Sequence, residues 1–289
     1  MRIPLPPVPL PEHVVSVAQE YADGVRTPVE PRNAATVVLM RPSEHGPDVY
    51  LLRRQVSMDF AGGMAVFPGG GVDPRDFDAA VAWAGPPPAA WAARMGCDEE
   101  TARALVCAAV RETFEESGVL LAGPSDEAVV ADTTADDWEA DRVALETREL
   151  SLSDFLNQRG LVLRTDLLGV WDAWLTPVFE PKRYSTWFFV ARLPEGQVTR
   201  DVSTESSSVT WLPARHAAEQ ADVGELALMP PTYLTCLEVG EFATPEDVLE
   251  VAASRSVAMF TPSVEPLDDG FTLSMPDRLR PLVAARRRA

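Results

Sequence analysis

Apolar residues in this chain fall in short runs whose period changes several times. Ala34 to Met40 and Val49 to Arg53 are β-branched and apolar runs separated by a polar stretch with Gly and Pro, which predicts a β-hairpin. Met64 to Gly71 (MAVFPGGG) is an apolar run closed by a proline and three glycines, where backbone can approach a ligand closely. Strand-like runs return at 161–170, 172–175, 186–193 and 208–212. Between these the period turns helical. Ala102, Val106, Ala109, Val110 and Thr113 share one face of a helix that Asp98 can cap, whose acidic first turn holds Glu99 and Glu100, and which Gly118 is placed to end. Helical patterns also cover 135–157, inside an acidic stretch at 124–160, then 231–237 and 245–254. Residues 72–97 mix Asp, Trp and Ala with the triple proline Pro86 to Pro88 and read as an insertion with short helical pieces.

Composition narrows the classes. With 289 residues and 46% hydrophobic content, the chain is long enough for one large domain with sizeable insertions. A formal charge of −19 opposes general attraction to nucleic acid or to an anionic membrane, while a small anionic substrate stays admissible where local cations or metal ions reverse the potential. Cys97, Cys107 and Cys236 form no CxxC pair, so neither a disulfide framework nor a zinc knuckle is suggested, and a reducing compartment fits. The opening MRIPLPPVPLPEH carries five prolines and reads as an extended, polyproline-like arm rather than a signal peptide. No apolar stretch of about 18 residues predicts a membrane span. The histidines His13, His45 and His216 lie far apart, so the chemistry is expected to run on carboxylates.

One segment gathers them: Arg111-Glu112-Thr113-Phe114-Glu115-Glu116-Ser117-Gly118-Val119. On a helix, Glu112, Glu115 and Glu116 fall on one side, beside the apolar stripe. Three such charges repel, and hard divalent cations with oxygen ligands are the usual answer, Mg²⁺ keeping room for phosphates and water. Arg111, four before Glu115, can hold part of the cluster. On the helix alone, a solvated acidic face is an equal reading.

Together, Phe67-Pro68-Gly69-Gly70 and RETFEESGV resemble the Nudix hydrolases, whose box reads G-x5-E-x7-R-E-U-x-E-E-x-G-U, with U bulky and apolar. The resemblance implies an α/β/α sandwich with a mixed sheet, spanning about 34–255 between a proline-rich arm (1–33) and a C-terminal extension (256–289). It implies Glu112, Glu115 and Glu116 as ligands of Mg²⁺ or Mn²⁺, with the Gly69 carbonyl as a further one. Here Gly70 and Arg111 are 41 residues apart where the box has fourteen, and the position eight before Arg111 is Arg103 rather than Glu. The acidic partner of Arg111 is then missing or displaced to Glu99 or Glu100. Over roughly 34–240 the chain is similar to the coenzyme A diphosphatase branch: LLRR before FPGG, KRYST-WFF at 182–189, WLP at 211–213 and LMPPTYLTCLE. A longer coenzyme A signature would place an Arg where Asp59 stands. The ending Arg-Arg-Ala is not a Ser-Lys-Leu-type peroxisomal address, so a cytoplasmic location is expected.

The resemblance implies hydrolysis of a nucleoside diphosphate linked to another moiety, coenzyme A or acyl-coenzyme A first. The alternatives are an ADP-ribose or dinucleotide pyrophosphatase and a Nudix-fold nucleotide sensor without turnover. Lys182, Arg183, Phe67 and Gly70 are the candidate substrate contacts. Glu112 and Glu115, with Glu205 from the polar run RDVSTESSS, are candidates for the catalytic carboxylate, against a solvated turn for that run. Trp171, Trp174, Trp187 and Trp211 could stack on adenine but fit a core better, and Cys107 reads as packing. A homodimer is an open expectation for partners.

Overall fold

The computed structural model describes residues 9–57, 61–268 and 270–286. The prolines among the first eight residues, Asp59 and the ending Arg-Arg-Ala lie outside them. In chain order the elements are α1 (Glu12–Ala22), β1 (Arg32–Ser43), β2 (Gly46–Arg54), β3 (Ala65–Val66), β4 (Gly69–Gly71), β5 (Trp83–Ala84), α2 (Pro88–Met95), α3 (Glu99–Ser117) and β6 (Ala122–Gly123). There follow α4 (Asp136–Glu146), α5 (Leu152–Arg159), β7 (Val162–Arg164), β8 (Leu168–Leu175), β9 (Tyr184–Arg192), β10 (Ser206–Pro213), α6 (Ala214–Val223), α7 (Pro230–Val239), α8 (Pro245–Ser254), β11 (Val264–Leu267), β12 (Gly270–Leu273) and α9 (Arg280–Arg286).

The expected hairpin forms β1 and β2, turning where Gly46 adopts φ +94° and the Ser43 hydroxyl donates to the Gly46 carbonyl at 2.8 Å. Strand order in the main sheet is β10-β2-β1-β9-β8. β1 runs parallel to β9 and antiparallel to β2, so the sheet is mixed. Alternation along β1 sends Ala35, Val37 and Leu39 to one core and Val38 and Met40 to the other, and helices cover both faces. The first core holds α3, α2 and α5; the second holds α6, α7, α8 and α9. This is the α/β/α sandwich the resemblance implied.

Helix α3 begins and ends as its sequence predicts. The Asp98 carboxylate accepts from the Thr101 amide at 2.8 Å, and Gly118 takes the left-handed conformation, φ +74°. Four features differ from expectation. The run 161–170 does not continue as one strand: β7 joins a small sheet with β5 and β6, a 3-10 turn at 165–167 follows, and β8 then continues through Asp172, with a register shift against β9 between Val170 and Asp172. The break is local chemistry, since Arg164 folds back on Asp166 at 2.7 Å and the Thr165 hydroxyl bonds the Ala84 carbonyl at 2.8 Å. Helix α1 occupies part of the segment expected to be extended. Helix α6, with Ala214, Ala217, Ala218 and Ala221 buried at helical spacing, is unannounced by any strong apolar run. The segment after 255 is stitched in, with Met275, Leu279 and Val283 in the second core and Phe260 bonded to β8 through Leu175 and Ala173. Among the described residues no helix is long and apolar enough to cross a membrane.

Phe114 occupies an unconstrained box position yet is fully buried, stacked on Phe155 of α5 at 5.4 Å between ring centroids and 17° between planes. Phe114→Ala is expected to lower stability by about 3–5 kcal/mol, and Phe155→Ala by a comparable amount, with the double mutant costing less than the sum because both empty one cavity. Urea midpoints check this, and additive losses would show the rings are energetically independent.

Candidate active site

Strand β4 is three glycines because two surfaces meet there. It pairs antiparallel with β1, Ala35 opposite Gly70 and Thr36 opposite Gly69. A Cβ on Gly69 would lie 2.4 Å from the Ala35 carbonyl, and one on Gly70 would lie 2.5 Å from a Glu112 carboxylate oxygen. The glycines thus let the carboxylates of α3 rest against the strand's backbone. The Gly69 amide donates to Glu116 Oε2 at 2.8 Å. Phe67 is placed in the second core, 2% exposed and edge-on to Phe188.

Arg111 is the hub. Its Nε and Nη2 grip both oxygens of Asp76 at 3.0 and 2.9 Å, its Nη1 donates to Glu112 at 2.7 Å and to both oxygens of Glu115 at 3.2 Å, and Nη2 also reaches the Gly71 carbonyl at 3.0 Å. Asp76 is 2% exposed and is itself fixed by the Asp73 amide at 2.8 Å. Asp76 stands six residues after Gly70, where the box has its first Glu. The acidic partner is therefore present as Asp, and the inserted residues lie between Asp76 and Arg111. Glu99 and Glu100, the expected substitutes, are exposed in the first turn of α3, far from Arg111. Counting forward from the glycine would have found Asp76; counting back from Arg111 crosses the insertion and lands on Arg103.

The three box glutamates are nearly buried, with Glu115 7% and Glu116 8% exposed. Burial, then the charge of Glu112, pushes Glu115 up to about 8. Burial raises Glu112 despite the adjacent Arg111, and raises Glu116 well above the carboxylate range. One guanidinium cannot balance this much charge. The donor set of hard carboxylate oxygens, short of positive charge and open to a glycine strand, suits a divalent cation. Among the described residues no three of these groups converge as a ready-made metal cage; Glu112 and Glu115 turn to Arg111 and Glu116 to the Gly69 amide.

Glu205 is brought to this cluster from a loop well beyond the box helix in sequence. Its charge contributes to raising both Glu112 and Glu116, its side chain is 52% exposed, and its Oε2 accepts from Arg54 at 3.0 Å. Arg54, part of LLRR, faces the cluster too, its charge partly offsetting the rise of Glu116; no local spacing marks it as a site residue. Lys182 is exposed on the β8–β9 connection. Its neighbour Arg183 is buried, donating from Nε to the Thr176 carbonyl at 3.1 Å and from Nη1 to Val29 at 2.9 Å. Trp171, Trp174 and Trp187 are core residues, and Trp211 packs on Tyr50 at 5.4 Å. Burial drives the Cys107 thiol up to about 12, as packing requires.

A family model described as the NUDT19 Nudix domain matches residues 98–238. The chain is 26% identical over 302 residues to the acyl-coenzyme A diphosphatase NUDT19 of Gallus gallus, covering 86% of this chain and 80% of that protein. It is 26% identical over 186 residues to the protein of the same name from Xenopus laevis, covering 59% and 49%. It spans only 57% and 49% of the length of the first two curated relatives it matches. The crystal structure of a NUDIX hydrolase from Alicyclobacillus acidocaldarius superposes with a TM-score of 0.67 at 25% identity, covering 80% of this chain and 99% of that one.

Two outcomes follow from the buried charge. Asp76→Ala strands the Arg111 guanidinium, and a loss of about 3–5 kcal/mol is expected in urea unfolding; a loss below about 1 kcal/mol would show that Arg111 re-pairs elsewhere. In chelator, folded Glu115 keeps a proton that the unfolded chain releases above its ordinary value of 4.5, so this group's contribution to stability falls as pH rises from about 4.5 to about 8. Asp73, held to about 2 by Arg75, acts below that window. Mg²⁺ or Mn²⁺ should therefore raise the unfolding midpoint more at pH 8 than at pH 5; equal shifts would remove the carboxylates from the metal site.

Proposed function

Since this chain belongs to the Nudix hydrolase family and resembles its NUDT19 branch, we propose that it is a divalent-metal-dependent pyrophosphohydrolase whose substrate is coenzyme A or acyl-coenzyme A. The observation that carries the reading is the buried cluster of Glu112, Glu115 and Glu116 beside Gly69 and Gly70, with Arg111 tied to Asp76 behind it. A nucleotide binder without turnover has no use for an acidic cluster that repels its ligand. Glu112, Glu115 and Glu116, with the Gly69 carbonyl, would hold Mg²⁺ or Mn²⁺, which when bound neutralises phosphate oxygens and acidifies water.

The chain's own groups do the rest. Water attacks one phosphorus of the diphosphate, the bridging P–O bond breaks, and the water's proton passes to Glu205, the half-exposed carboxylate. Glu112 and Glu115 share the buried Arg111 guanidinium, which fixes their orientation, whereas Glu205, held by Arg54, keeps half of its side chain open to water. Gly70 admits the diphosphate against the strand's backbone and Lys182 meets it from the β8–β9 connection. Arg183 holds the β8–β9 connection in place through the Thr176 and Val29 carbonyls, and Phe67 anchors the start of the glycine strand in the second core. Three free cysteines fit a reducing cytoplasm.

Purified protein with Mg²⁺ or Mn²⁺ is to be incubated with coenzyme A, acyl-coenzyme A, ADP-ribose, NADH and diadenosine compounds, with products read by mass. Coenzyme A is expected to give 4′-phosphopantetheine and adenosine 3′,5′-bisphosphate, and Glu116→Gln or Glu112→Gln to lower turnover by about a hundredfold or more. Full activity in excess chelator would refute the metal reading, and a roughly hundredfold preference for ADP-ribose would refute the substrate.

A further inference from the structure

Glu205 lies in a serine-rich stretch that reads as a solvated turn, yet its backbone is clamped from two sides. The Thr204 amide and hydroxyl both donate to Glu146 Oε1 of α4, at 2.9 and 2.7 Å. The Thr204 carbonyl accepts from Gln55 Nε2 at 2.6 Å, the Glu205 carbonyl accepts from the Gln55 amide at 2.9 Å, and the Glu205 amide donates to the Ser203 hydroxyl at 3.2 Å. No backbone polar group of these two residues is left to water.

The other end of this clamp is the catalytic helix. Glu146 Oε2 accepts from Arg142 Nη1 at 2.9 Å, and the same nitrogen donates to the Glu115 carbonyl at 2.7 Å. Arg142 is 3% exposed, which makes its position a property of the packed interior rather than of the surface. A parallel strut runs from Glu139 to Arg200 Nη1 at 2.6 Å, with the Arg200 amide on the Ser117 carbonyl at 2.9 Å. Helix α4 thus touches both the last turn of α3, which carries the box carboxylates, and the loop that carries Glu205.

We infer that the Arg142–Glu146 pair of α4 is a positioning device, which fixes the distance between the box carboxylates and Glu205 and thereby sets the rate of proton removal from the attacking water. The inference rests on the base reading of Glu205. Arg142 and Glu146 touch no reacting atom; they act through Thr204 and the Glu115 peptide. An error of about 1 Å in such a placement can cost up to a hundredfold in rate.

The test uses the full chain with Mg²⁺, assayed on coenzyme A or, if faster, ADP-ribose. Glu146→Ala is expected to lower kcat by about tenfold to a hundredfold with KM within about twofold. Glu146→Gln, which keeps an acceptor for Thr204 but turns an amide nitrogen toward Arg142, should recover only part of that loss. In a Glu205→Gln background the same Glu146→Ala change should cost less than about twofold more. Amide exchange across 199–206 should rise in Glu146→Ala, a readout independent of turnover. Should Glu146→Ala unfold the protein, Thr204→Val, which removes the exposed hydroxyl alone, is expected to give a smaller kcat loss in the same direction. A kcat loss in Glu205→Gln with none in Glu146→Ala overturns this inference alone, and so does a full further loss in the double mutant. Unchanged turnover in Glu205→Gln overturns the base reading and this inference with it.

Discussion

Arg111 is 8% exposed and meets Asp76, Glu112 and Glu115 at once, which makes it the main cation inside a pocket of buried carboxylates. A guanidinium in that position is strongly favoured in its charged form, and its planar fork suits the bidentate grip on Asp76. Still, one positive charge among four carboxylates leaves the site negative. Burial first, and then the charge of Glu112, push Glu115 up to about 8, and the site calls for a further cation. The site also constrains the fold around it: the 3-10 turn at Pro74–Phe77, the glycine strand β4 and the last turns of α3 must all meet at Arg111.

The insertions pack against both flanks of the box helix. Helix α2 seats Trp91 on Phe189 at 5.9 Å and lends the Met95 carbonyl to the Trp187 indole at 3.2 Å, so the residues added between Asp76 and Arg111 close the first core. Helices α4 and α5 cover the opposite flank of α3, where Phe155 stacks on Phe114. Because α4 packs on the box helix, the polar groups along its length are held at fixed points over the site. Packing and site geometry are coupled there: Arg142 satisfies the orphan carbonyl of Glu115 near a helix end and orients Glu146 with the same nitrogen.

What the sequence alone determined is whatever depends on residues close together in the chain. Helix α3 and its caps, the β1–β2 hairpin, the glycine run and the shared face of Glu112, Glu115 and Glu116 all follow from fixed local spacings, because helix and strand periods hold wherever the chain goes. The core role of the tryptophans was legible for the same reason. Tertiary structure decided what long separations hide. Asp76 reaches Arg111 across 35 positions, an insertion long enough to conceal a partner that local counting from Gly70 would have exposed. Arg54 and Glu205 meet across 151 positions because β2 and β10 pair, and no spacing rule links them. Arg183, a candidate substrate contact by resemblance, spends its donors on the Thr176 and Val29 carbonyls, since strand pairing carries it inward beneath α1's connection to β1. Burial decided the carboxylate pKa values as well: a helix face of three glutamates is solvated or metal-binding according to what packs over it, and only the folded sheet and α4 supply the cover.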